Sequence, residues 1–170
     1  MRYGEGRVLV ETHPPLGLTF QETATTAVAA AQKFTGSNLS EKDVVFTVRS
    51  AVEPQQVEGP SAGALMGILL VSVLEPAHLN QNVTITGSIT QNGYIGGVGG
   101  IVEKAEAAKA DGKTLFLIPR ENRSLRIQST GYPGQVGIVD AKSYIESNVG
   151  IRTEYVDSLA DLPGLMLEQA

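Results

Sequence analysis

The chain has 170 residues, 42% hydrophobic and 18% charged, with a formal net charge of −5, which fits one globular domain with a real core and excludes a disordered segment. The acidic balance argues against nucleic acid or an anionic membrane as partner, because both reward clustered Lys and Arg. With no cysteine and two histidines, His13 and His78, in no ligand pattern, the chain implies no disulfide, no thiolate chemistry, no metal and no cofactor.

In chain order, the opening MRYGEGRVLV lacks the apolar core of a signal peptide, and RVLVET (7–12) reads as a strand. QETATTAVAAAQKFTG (21–36) reads as a helix stopped by Gly36. DVVFTVRS (43–50) is β-branched and alternating, hence a strand. SAGALMGILLVSVLE (61–75) has no polar face, which predicts a helix buried on most sides. It is too short to span ~30 Å of hydrocarbon. A soluble chain is expected, cytoplasmic by default and membrane-tethered if it is an excised domain.

VTITGSIT (83–90) reads as one strand leading into a hairpin at Asn92-Gly93, followed by a helix over 101–112 and a buried strand over 114–119. The basic group Arg120, Arg123 and Arg126 reads as solvated surface. After a Gly/Ser/Pro-rich loop at about 128–135, VGIVD is a short strand. AKSYIESN and SLADLPGLML read as helices around a strand at IRTEYV. No repeat or linker interrupts the pattern. The fold class is α/β (α+β): one domain over 1–170 with mixed sheets packed against helices.

Gly59-Pro60-Ser61-Ala62-Gly63 has the G-x-S-x-G spelling of a nucleophile elbow, and Ser61 reads equally well as the cap of an apolar helix. An elbow needs an acid and then a histidine downstream. Only His78 follows Ser61, with Glu75 beside it, and both lie at the far end of the helical segment, ~20 Å away at 1.5 Å per residue. An α/β-hydrolase esterase is therefore excluded, and a nucleophilic Ser61 needs another base. A neutral lysine can accept the proton if burial or hydrogen bonding brings its pKa down from ~10.4. No lysine follows a serine by three residues. Of the six lysines, Lys104 and Lys109 flank the apolar stripe of the 101–112 helix about equally closely, so periodicity does not choose between them.

Three segments, EGPSAG (58–63), TGSITQNGYIGGVGGIVEKAEAAKADG (86–112) and LFLIPREN (115–122), strongly resemble the proteolytic domain of Lon proteases. The likeness covers residues 4–122 well and 123–170 loosely. It implies a Ser–Lys dyad of Ser61 and Lys104, forty-three positions apart. It also implies that Thr86 orients the lysine and that Glu58 is a modulating acid. The glycines Gly59 and Gly63 allow close backbone approach around Ser61, and N–H groups near Gly59, Ser61 and Ala62 could bind an oxyanion at the helix start. Gly96, Gly97, Gly99 and Gly100 spell no dinucleotide fingerprint and shape the turn into the Lys104 helix.

The family couples this domain to an AAA+ ATPase, whereas no P-loop occurs here. The resemblance thus implies a free-standing or excised domain: an ATP-independent serine endopeptidase acting on peptides or unfolded polypeptide. The alternative is a catalytically silent module for assembly or peptide binding. A hexameric homo-oligomer, and an ATPase or membrane segment fused or separate, are further implications of the likeness.

Overall fold

The computed structural model describes residues 2–11, 17–49, 59–128 and 136–169. The first half runs β1 (Arg2–Tyr3), β2 (Val8–Val10), α1 (Leu18–Thr35), β3 (Lys42–Phe46), a 3₁₀ turn (Pro60–Ala62), α2 (Gly63–Leu74), β4 (Ala77–Leu79), β5 (Val83–Ile85), β6 (Ser88–Ile89) and β7 (Ile95–Gly96). The second half runs α3 (Ile101–Ala110), β8 (Leu115–Pro119), a 3₁₀ turn (Arg120–Arg123), β9 (Ser124–Gln128), β10 (Val136–Asp140), α4 (Ala141–Asn148), β11 (Arg152–Val156), a 3₁₀ turn (Leu159–Asp161), α5 (Pro163–Met166) and β12 (Leu167–Gln169).

At the centre lies a parallel sheet in the order β11-β8-β5. Successive side chains of a strand face opposite ways, and β8 uses that alternation to join two cores. Leu115 and Leu117 turn toward a core that includes α1, α2, Ile85 and Val156. Phe116 and Ile118 turn toward a second core formed with Ile101, Ala105 and Ala108 of α3 and Ala141 and Ile145 of α4. A second small sheet, β1-β3-β2, and three two-stranded pairs, β6-β7, β9-β10 and β4-β12, complete the pairing among the described residues.

Helix α1 is alanine-rich and ends where expected, at Gly36 in the left-handed conformation (φ 69°), a position glycine fills without steric cost. It begins three residues before the periodic pattern does, because Phe20, only 2% exposed, has tertiary burial to gain there. Helix α2 is apolar all round, yet Leu69 and Val73 remain exposed beside Val45, so its burial is less complete than the sequence predicts.

Three expectations change. The single strand over 83–90 is broken at Thr86-Gly87 into β5 and β6, which belong to different sheets. A Cβ on Gly87 would lie 2.6 Å from the Ile95 side chain, so only glycine lets the chain turn there. The hairpin that follows is longer than a two-residue turn. The Gly93 N–H donates to the Thr90 carbonyl at 2.8 Å, and Gly93 rather than Asn92 takes positive φ, which excludes a type I′ turn. Finally, SLADLPGLML forms one 3₁₀ turn and a single turn of helix. Pro163 has no N–H to continue a helix and instead starts a new one. The strand β9 was hidden in the arginine-rich stretch: Leu125 and Ile127 turn inward while Arg126 stays exposed.

Candidate active site

Ser61 sits in the 3₁₀ turn that leads into α2, and its place is fixed through the backbone. Gly59, at φ 95°, precedes the turn, and its N–H donates to the Thr19 hydroxyl on α1 at 3.1 Å. The Gly87 N–H donates to the Ser61 carbonyl at 3.0 Å, and the Ala64 N–H donates to the Gly87 carbonyl at 3.0 Å. These reciprocal bonds hold the serine turn against the corner between β5 and β6. Gly63 makes the approach possible, since a Cβ there would lie 3.0 Å from the Ile89 nitrogen and 2.8 Å from its side chain.

Lys104 lies in the first turns of α3, whose other face is anchored by Ile101 and Ala105 in the second core. Gly100, at φ 66°, turns the chain into the helix, and the Lys104 N–H donates to its carbonyl at 3.0 Å. Burial lowers the pKa of the Lys104 ammonium from the ordinary lysine value, and the nearby Glu103 carboxylate opposes this more weakly. Desolvation of the charged form is the physical cause.

Ser61, Ala62, Thr86 and Lys104 line one cleft of about 420 Å³. Leu65, one helical turn beyond Ser61, lies on one side. On the other is the face of α3 that carries Lys104, Ala107, Ala108 and Asp111, residues at spacings of three, four and seven. Thr84 of β5 and Phe116 of β8 contribute from the sheet between them. No hydrogen bond joins Ser61 Oγ to Lys104 Nζ among the described residues. Thr86 is buried, and its hydroxyl donates to the Ser61 carbonyl at 3.5 Å, the limit of such a bond. A hydroxyl donating one way still offers lone pairs to an ammonium.

The choice left open between the helical lysines now has a geometry. Lys109 Nζ donates to the Val149 carbonyl on the opposite side of α3. Lys113 also lines the cleft, but it pairs with Asp111 at 3.1 Å and donates to the Gln81 carbonyl at 2.9 Å. Lys33 and Lys142 are engaged elsewhere, by Asn92 and Glu154. His78 lies in β4, past the far end of α2, where it is exposed. Glu58 lies outside the described residues. The Gly59 N–H is taken by Thr19, a partner that no sequence motif announces; Ala107 and Asp111, by contrast, follow from Lys104 by helical spacing. Among the described residues no cluster of His, Asp or Glu could hold a metal ion.

Residues 8–129 match the family described as the Lon protease (S16) C-terminal proteolytic domain. The chain is 34% identical over 126 residues to Lon protease 2 of Syntrophobacter fumaroxidans, covering 71% of this chain and 15% of that protein. It is 31% identical over 139 residues to the archaeal Lon protease of Methanothermobacter thermautotrophicus, covering 82% and 21%. With the archaeal Lon protease of Halobacterium salinarum it shares 30% identity over 156 residues, 88% of this chain and 22% of that one. The chain thus spans between 15% and 22% of the length of these relatives. The matched span contains the serine turn, the β5–β6 corner and α3 together, and on that basis the chain belongs to the Lon protease proteolytic-domain family.

Proposed function

We propose that this domain is an ATP-independent serine endopeptidase with a Ser61–Lys104 dyad. The observation that carries the reading is that Ser61 and Lys104 line one cleft, with burial holding the lysine below its ordinary pKa. The Ser61 hydroxyl attacks the scissile carbonyl as the Lys104 amine takes its proton. The same lysine returns a proton to the leaving amine, and water then hydrolyses the acyl-enzyme by the reverse sequence. In this reading the Ser61 N–H within the turn stabilises the oxyanion, since Pro60 has no N–H and that of Gly59 is taken by Thr19. Thr86 accepts a hydrogen bond from the ammonium and so orients it.

Peptide hydrolysis runs downhill, so the chemical step draws on no nucleotide, and the chain contains no P-loop. The substrates are peptides and unstructured polypeptide. Folded proteins enter only when a separate or fused ATPase unfolds them. A homo-oligomer is the expected assembly, checked by light scattering of the purified protein. Among the described residues no helix is long and apolar enough to cross a membrane.

Cleavage of an unfolded fluorogenic protein without ATP, with Ser61→Ala and Lys104→Met as comparisons, tests the reading. Loss of activity in both variants, and covalent labelling of wild-type Ser61 by a serine-directed fluorophosphonate, is the expected result. Full activity in Ser61→Ala overturns it. The missing Ser61–Lys104 hydrogen bond favours a second reading, a silent peptide-binding module, although such bonds often tighten only when substrate arrives. Peptide binding with neither cleavage nor labelling would establish that alternative.

A further inference from the structure

The sequence R-E-N at 120–122 has no part in the reaction as derived so far, yet its side chains reach across to the loop that delivers the dyad lysine. The Gly97 N–H donates to Glu121 Oε2 at 2.6 Å. The Val98 N–H donates to Asn122 Oδ1 at 2.9 Å, and Asn122 Nδ2 donates back to the Val98 carbonyl at 2.8 Å. Asn122 therefore binds both polar groups of one residue, as a neighbouring strand would. The glycines are part of the device. A Cβ on Gly97 would lie 3.2 Å from Glu121 Oε2 and 3.4 Å from Asn122 Oδ1, so a larger residue would crowd both acceptors.

We propose that Glu121 and Asn122 are positioning residues for the dyad: they clamp Gly97-Val98 and thereby set the rotation of α3 that carries Lys104 to Ser61. The inference rests on the dyad reading above. Packing of Ile101, Ala105 and Ala108 against Phe116 and Ile118 fixes how close α3 lies to the sheet, but small apolar contacts resist rotation about the helix axis weakly. The clamp is directional. It acts three to four residues before the helix begins, through Gly100, whose left-handed conformation joins the loop to α3. Side-chain tips stand ~5–6 Å from a helix axis, so a rotation of ~10° displaces them by ~1 Å. An error of that size costs about 100-fold in rate at a catalytic centre. The clamp reaches Lys104 without touching substrate, and its base is the rigid end of β8, where Pro119 closes the central strand.

The test compares Asn122→Ala, Asn122→Asp and Glu121→Gln with wild type, using an unstructured peptide substrate, melting temperature, and direct titration of the Lys104 ammonium by lysine ¹⁵N NMR. Glu121→Gln keeps an acceptor for the Gly97 N–H and should retain most activity. Asn122→Asp keeps the acceptor but loses the donor to Val98, and should fall between wild type and Asn122→Ala. For Asn122→Ala the expected result is a fall in kcat of ~10- to 100-fold with KM little changed. The acid limb of kcat/KM and the NMR titration of Lys104 should both move. If kcat falls only in proportion to folded protein, with both pH readouts unmoved, Asn122 is merely structural and the proposal is overturned. Unchanged kcat in Asn122→Ala overturns it as well. Lys104→Met, run in parallel, separates the two readings: its full activity would defeat the dyad, whereas an inactive Lys104→Met beside an unaffected Asn122→Ala would defeat only the clamp.

Discussion

Thr86 is bonded to Ser61 through the serine's carbonyl, which accepts from the Thr86 hydroxyl at 3.5 Å, while the Thr86 N–H donates to the Leu117 carbonyl at 3.1 Å. One residue thus ties the serine turn to the central strand and presents an oxygen to the cleft that Lys104 shares. Thr86→Val keeps the shape and removes that oxygen. We expect kcat to fall ~10-fold, less than the ~10²- to 10⁴-fold a general acid or base itself contributes, because Thr86 only orients the lysine, with melting temperature nearly unchanged. Steady-state kinetics and calorimetry on the same preparation check both.

The lowered pKa of Lys104 has a sign that can be tested twice. As a base the amine must be neutral, so kcat/KM should rise with pH through a value below that of an ordinary lysine. For stability the direction is opposite. A lysine whose folded pKa lies below its unfolded value binds protons less well when folded, and this penalty is fully present below the folded pKa and vanishes above the unfolded one. Lys104→Met should therefore be inactive yet melt higher than wild type at neutral pH, the gap closing as pH approaches ~10.4.

Asp43, with its side chain 1% exposed, accepts from the Glu5 and Arg7 N–H groups at 3.0 Å each and from the Arg7 guanidinium at 2.7 Å. The Arg7 side-chain and backbone bonds hold its carboxyl well below the usual carboxylate range. A depressed folded pKa gives stability that is present above the unfolded pKa, ~3.9, and is lost as pH falls through the folded value. Asp43→Asn should lower the melting temperature by several degrees at pH 7, with the difference from wild type shrinking below about pH 4. Thermal melts at pH 7, 4 and 2.5 read this directly.

Gly63→Ala places a methyl group against Ile89. Overpacking of this kind costs about 1–3 kcal/mol, and here it also pushes the serine turn off the β5–β6 corner. We expect reduced stability together with slower fluorophosphonate labelling of Ser61, measured at a temperature where the variant is fully folded.

Ala107→Phe fills the α3 side of the cleft, one helical turn from Lys104. Peptide KM should rise several-fold, while labelling by a small fluorophosphonate stays near wild type.

The sequence made α1, α3 and β8 readable because their signals are local: alanine content, a stop glycine, an apolar run ended by proline. It also made Ser61 and the α3 lysines visible as candidates. Spacing could not separate Lys104 from Lys109, since both flank the same stripe, and the difference lies in what each faces: the cleft for one, the Val149 carbonyl for the other. The break at Thr86-Gly87 was hidden because β-branched residues continue on both sides of it, and only the approach of Ile95 requires the corner. Strand β9 was hidden because its outward residues are charged or polar and its inward ones are only two. Thr19 and the Glu121–Asn122 clamp lie far along the chain from the residues they hold, beyond any periodicity.

The corner at Thr86-Gly87 also governs when the site comes into being. Its bonds join Ser61 to Gly87 and Thr86 to Leu117, contacts distant in sequence whose loop entropy must be met before they form. In a chain emerging from the ribosome, Ser61 precedes the first residue of β8 by fifty-four positions and Lys104 by eleven, so neither has the central sheet to settle against until β8 takes its place between β5 and β11. On the proposed dyad reading, Ser61 and Lys104 meet only once those long-range contacts form, so an incomplete or misfolded copy would carry both without being armed.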